Sequence, residues 1–163
     1  MVSPATILNQ AVSHHQAGRY ADAEQLYRKI LASNPNHFDA LHLSGVLACQ
    51  AGELEKALSL IGKAVKINTR SPLATYNLGE TYRLLERREE AANCYLRAAT
   101  LKPDYAAAWN SLAMVRQQGG ELADAEDAYR RAVNLMPESA ELQNNLGTLL
   151  HDMGRLPDRK SVV

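Results

Sequence analysis

The same residues return every 34 positions along this chain. Gly18, Gly52, Gly120 and Gly154 share one register, with Glu86 in the middle slot. Ala23, Ala57, Ala91 and Ala125 share a second, and Tyr27, Ile61, Tyr95 and Tyr129 a third. Pro35, Pro103 and Pro137 follow the same spacing, with Thr69 in the missing place. Small residues at 11, 45, 79, 113 and 147 make a fifth register, so seven of the nine glycines fall on two lattice positions. A period of this length marks units that cannot bury an apolar face alone and must stack to do so.

Each unit reads as two helices. Thr75, Leu78, Gly79 and Tyr82 stand at i, i+3, i+4 and i+7, one face of a helix. Ala91, Tyr95 and Ala98 repeat the rule on a second helix. Gly18, Gly52 and Gly120 are helix stops between the two, and a short turn at Glu86 does that work in the third unit. Ser71-Pro72, and Ser3-Pro4 two periods earlier, read as an N-cap followed by proline in the first turn. Prolines 35, 103 and 137 end the second helices. Gly79 and Ala91 belong at a tight helix crossing, and the lattice tyrosines are core fillers.

Composition narrows the function. The chain has 163 residues, with 18 Lys and Arg against 18 Asp and Glu. Zero net charge argues against nucleic acid, whose recognition rests on excess positive charge. No apolar run approaches a membrane span. No basic and apolar leader opens the sequence, so the expected address is cytoplasmic. Cys49 and Cys94 form no CxxC pair and read as semi-buried hydrophobes. His14 and His15 are adjacent and point about 100° apart on a helix, and His37 and His42 straddle a helix start; neither spacing suits a metal. No metalloprotease, nucleophile-elbow, Walker or dinucleotide motif is present. The expectation is no enzyme, no cofactor and no metal.

The period, Trp109-x-x-Leu112-Ala113, Leu78-Gly79-x-x-Tyr82, Ala91-x-x-x-Tyr95-x-x-Ala98 and Pro103 together resemble the tetratricopeptide repeat (TPR) family. The resemblance covers nearly the whole chain. It implies an all-α, right-handed superhelix, an α-solenoid of antiparallel helix pairs, whose first helices line a concave groove. The expected domain is 1–155, with repeats at 4–37, 38–71, 72–105 and 106–139 and a partial unit from 140. Ser44 replaces the usual leucine, and Gln10 and His14 occupy apolar slots of the first unit. Residues 156–163 break the pattern, with Pro157 in the expected first turn and Arg159 at the lattice alanine. They read as an irregular tail, a truncation or a scar of cloning. Leu142, Leu146, Leu149, Leu150 and Met153 then leave an apolar end, which predicts weak self-association through 142–153.

The opposite face of the first helices is polar. It carries Tyr76, Asn77, Glu80 and Arg83 in the third unit, and Asn110, Ser111, Met114 and Gln117 in the fourth. Gln143, Asn144, Asn145 and Thr148 follow in the fifth. Asn9, Asn77 and Asn145 share one lattice slot. Asparagine inside a helix costs roughly 0.5–0.7 kcal/mol against alanine. A row of groove asparagines is similar to the repeat region of the O-linked N-acetylglucosamine transferases and their SPINDLY-type relatives. That resemblance implies amides that bind the backbone of an extended peptide, because one amide both donates and accepts. The peptide-binding candidates are Asn9, Asn77, Glu80, Arg83, Asn110, Gln117, Asn144 and Asn145. A merely solvated helix face fits the same residues, and both readings stand at this point. A carboxylate clamp is not expected, since its slots hold Leu8, Val12, Leu43, Leu73 and Asn77. The expected function is non-catalytic binding of a protein or extended peptide. The alternatives are a scaffold that assembles through its solenoid ends and the regulatory arm of a glycosyltransferase.

Overall fold

Serine and proline at the head of a period start its first helix. Ser3 Oγ accepts from the Thr6 N–H at 3.2 Å, and Ser71 Oγ accepts from the Ala74 N–H at the same distance. Each is followed by proline in the first turn, where a missing N–H costs nothing. Ser139 does the same work for a third helix. His37 caps another through its ring nitrogen. The computed structural model describes residues 3–154.

Nine helices lie among the described residues: α1 (Pro4–Gln16), α2 (Tyr20–Ser33), α3 (Phe38–Gln50), α4 (Leu54–Ile67), α5 (Pro72–Leu84), α6 (Arg88–Leu101), α7 (Ala106–Gln118), α8 (Leu122–Leu135) and α9 (Ala140–Asp152). Odd helices have 13 residues and even ones 14, and both series begin 34 residues apart. No helix among the described residues is long and apolar enough to cross a membrane.

The turn inside each unit is set by one left-handed residue. Gly18, Gly52, Gly120 and Gly154 have φ between 67° and 82°. Around Gly18 the Arg19 N–H reaches back to His14 O at 2.9 Å and the Gly18 N–H to His15 O at 3.1 Å. Those bonds satisfy carbonyls that the end of α1 would leave open. Glu86 fills this slot with φ 58°, the one non-glycine residue in that region among those described. Its N–H bonds Arg83 O at 3.0 Å, so the turn closes despite the side chain.

The chain divides into two compact units, Met1–Glu86 and Arg87–Val163. In the first, α1 packs with α2 and α3 with α4 as antiparallel pairs. Its core includes Ala11, Ala23, Tyr27 and Leu47, with Leu8, Leu26 and Leu43 against them. Ile61 is buried on α4 and contributes on the order of 1.5–3 kcal/mol. Gly45 explains how close α3 comes to α4: a Cβ there would run into Ile61 Cγ1 and sit 3.1 Å from the Ile61 backbone nitrogen. In the second unit α7 pairs with α8, and α6 and α9 pack beside them. Tyr129, Leu112, Trp109 and the lattice alanines are buried there. Trp109 donates its indole N–H to Pro103 O at 3.0 Å, and the Arg131 guanidinium lies 4.7 Å from the ring centre. The lattice aromatics 27, 95 and 129 are all core residues.

Candidate functional site

Two odd-numbered helices of consecutive repeats lie side by side, and polar side chains 35 residues apart tie them together. On the first unit the Asn77 Nδ2 of α5 donates to His42 Nε2 of α3 at 2.8 Å. On the second, the Asn145 Nδ2 of α9 donates to Asn110 Oδ1 of α7 at 3.0 Å. His42 is the lattice equivalent of Asn110, and Asn77 of Asn145. The same rung is therefore built twice with different acceptors.

These amides are neither simply solvated nor wholly consumed. Each rung uses one N–H of Asn77 or Asn145 and leaves the Oδ1 and the second N–H of that amide. The bond to the preceding helix fixes the rotamer. His42 is 5% exposed, and burial pushes its imidazole below the ordinary 6.5, while Asp39 one turn back acts in the opposite direction. In the Nδ1–H tautomer the neutral ring has a lone pair on Nε2, which is what the Asn77 N–H requires. Phe38 stacks on the imidazole, ring centres 5.9 Å apart. Beside Asn77 a small cleft of about 90 Å³ is lined by Val46, Cys49, Gln50, Ile61 and Glu80.

The other candidates fall into place around the rungs. Glu80 and Arg83 pair with each other at 2.9 Å, one turn along α5. Gln117 accepts from the Tyr129 hydroxyl at 3.1 Å and donates to Asp152 Oδ2 at 3.3 Å. His15 holds the matching place in the first unit, between the Tyr27 hydroxyl and Gln50 Oε1. Burial pushes the Tyr27 phenol up to about 12, so it stays protonated. Asn9 and Asn144 are exposed and make no side-chain hydrogen bond with described residues. No rung joins α1 to α3, because the two positions that would form it are Leu8 and Leu43, both packed on the apolar core.

The apolar residues of α9 are unequally covered. Leu142 and Leu149 are buried, Leu146, Leu150 and Met153 are half-buried, and the exposed positions are Ala140, Gly147 and polar side chains. Gln143, Asn144, Gly147, Thr148 and His151 line an open concavity of about 450 Å³. The expected tail at 156–163 lies outside the described residues.

A second cleft, not foreseen from the sequence, lies on the first unit. It is about 350 Å³ and runs between α2 and α4 over α3. Leu31, Leu47, Ala48 and Leu60 make its apolar walls, and Glu24, Arg28, Glu53 and Lys56 its rim. The rim charges satisfy one another: Lys56 Nζ lies 2.9 Å from Glu24 and 2.8 Å from Glu53. The signal was Ser44, which stands where Leu112 is buried in the second unit and leaves the space unfilled. No group of three His, Cys, Asp or Glu side chains among the described residues is placed to hold a metal, and burial pushes the Cys94 thiol up to about 11, away from a reactive thiolate.

Residues 14–69 and 76–140 match tetratricopeptide repeat families. The chain is a tetratricopeptide repeat protein. Over 97 residues, 60% of its length, this TPR protein is 31% identical to a probable UDP-N-acetylglucosamine–peptide N-acetylglucosaminyltransferase SPINDLY of Hordeum vulgare. It spans about a tenth of that relative's length. Among solved structures it is similar to MamA, at 25% identity and a TM-score of 0.83, over 89% of this chain and 85% of that one. It also superposes on Pseudomonas aeruginosa PilF with a TM-score of 0.83, over 93% of this chain and 69% of that one, at 22% identity. The last likeness shows the TPR fold alone.

Proposed function

We propose that this TPR protein is a non-catalytic interaction module that takes extended peptide along the odd-numbered helices of each unit. The observation that carries the reading is the paired rung. Asn77 and Asn145 are each held by a neighbouring helix while keeping one donor and one acceptor. That is the pairing capacity of a peptide unit, and it is indifferent to the peptide's side chains. Orienting the amide in advance lowers the entropy lost on binding. The likeness to a SPINDLY-type repeat region supports the same use of groove amides.

The test is a library of capped extended peptides, screened against the parent and against Asn77→Ala/Asn145→Ala. Binders of the parent lose at least about tenfold in affinity, one hydrogen-bonded contact per amide. Equal binding to both proteins, with helicity retained, removes the proposal. A second reading, the regulatory arm of a glycosyltransferase, rests on the identity to the barley protein. Transferase activity in the product of the full-length gene separates it from a stand-alone adaptor.

A further inference from the structure

The His42–Asn77 rung differs from the Asn110–Asn145 rung in one respect: its acceptor takes up a proton. With its proton on Nδ1 a neutral imidazole offers Nε2 as an acceptor, and the Asn77 Nδ2, which can only donate, lies 2.8 Å from it. A protonated imidazole has N–H groups on both nitrogens and no acceptor, whichever edge faces the amide. The Asn77 amide group is nearly isosteric with itself after a half-turn about its terminal bond. Inversion therefore places Oδ1 where Nδ2 was and restores the bond without new volume.

We propose that protonation of His42 inverts the Asn77 amide, turning this rung into a pH-sensitive element of the odd-helix face. Before inversion the amide keeps Oδ1 and one N–H for a partner. Afterwards it keeps both N–H groups, and a positive charge stands behind it. The face at α5 changes from a neutral peptide reader to a donor surface suited to carboxylates. The stacked Phe38 ring supports the cation. Asp39 on α3 favours it as well. From α5 the rung is flanked by the Glu80–Arg83 pair. Glu24 and Arg28 of α2, Lys56 of α4 and Glu53 at the α4 N-cap gather over Ser44, Leu47 and Ala48 instead. His15 of α1 meets α3 at Gln50, about two turns beyond His42. Only the consequence for peptides rests on the proposed function; the inversion does not.

The experiment is side-chain NMR on the full chain, titrated from about pH 7.5 to about pH 5, the range in which histidine changes charge. His42 ring nitrogens report the protonation, and the Asn77 Nδ2 protons report the amide. The expected result is one shared midpoint, below 6.5, with the Asn145 amide unmoved. His42→Asn copies the rung of the second unit, so the Asn77 signals then stay constant and the fold persists. Asn77 signals that remain flat while His42 titrates overturn the proposal. So does loss of the folded α3 and α5 signals at the same midpoint, which means that the rung breaks rather than inverts. A peptide that binds with the same affinity across the range, while the amide inverts, counts against the proposed function and not against the switch.

Discussion

Glu86 holds a backbone conformation that four glycines hold elsewhere on the lattice. A residue with a Cβ pays roughly 1–2 kcal/mol there, part of which glycine gives back through its freer unfolded chain. Glu86→Gly should therefore raise stability by about 0.5–1 kcal/mol in urea unfolding. The asparagines make a sharper pair. Asn144 is exposed and makes no side-chain hydrogen bond among the described residues, so Asn144→Ala gains helix propensity, about 0.5 kcal/mol. Asn145→Ala removes the donor to Asn110 Oδ1, whose residue is 9% exposed, and should cost about 1 kcal/mol net. Opposite signs for adjacent residues of one type are the expected outcome of thermal melts. The sequence alone treats these two amides alike, because a bond between residues 35 apart depends on how repeats stack.

At the scale of the helix, local signals were legible and close approaches were not. Serine–proline starts and glycine stops foretell the ends of α1, and serine–proline the start of α5; lattice alanines and tyrosines foretell the core. Which small residue sits against a neighbour was invisible. Gly45 meets Ile61, whereas Gly147 in the same register and Gly62 on α4 have nothing within 4 Å among the described residues. Gly62→Ala should stabilise by about 1 kcal/mol, the helix-propensity difference. Gly45→Ala should destabilise by about 1 kcal/mol, since overpacking outweighs propensity where the Ile61 backbone as well as its side chain is close. Equal stabilisation by both in urea unfolding would show that the crossing of α3 and α4 yields easily. The rungs and the Ser44 cleft were missed for the same reason: both are relations between repeats, and periodicity reports each repeat by itself.

Across the whole molecule, acid should act first through His42. Its folded-state value lies below 6.5, so the unfolded chain binds the proton more readily. Stability is thus fully present above about pH 7, and it falls as pH drops through 6.5 toward the folded value. Glu24 acts lower. Its carboxyl is held below 4.5 by the Lys56 hydrogen bond, so its contribution is present above 4.5 and fades beneath it. The Glu24 contribution is small, because the pair is largely solvated. His42→Asn should flatten the stability profile between about pH 5 and pH 7 and leave the more acidic limb unchanged; an unchanged profile in urea unfolding would assign that limb to other groups.

The central claim is that peptides bind the odd-helix face, and mapping a bound peptide tests it most directly. A capped peptide selected from the library is titrated into the labelled full chain, and amide and side-chain shifts are followed by NMR. The largest changes are expected at Asn77, Asn110 and Asn145 and their helices, with little change around α2 and α4. Changes centred instead on Tyr20, Glu24, Leu31, Ser44 and Leu60, and abolished by Ser44→Leu, would place the peptide in the cleft between α2 and α4 and contradict the account.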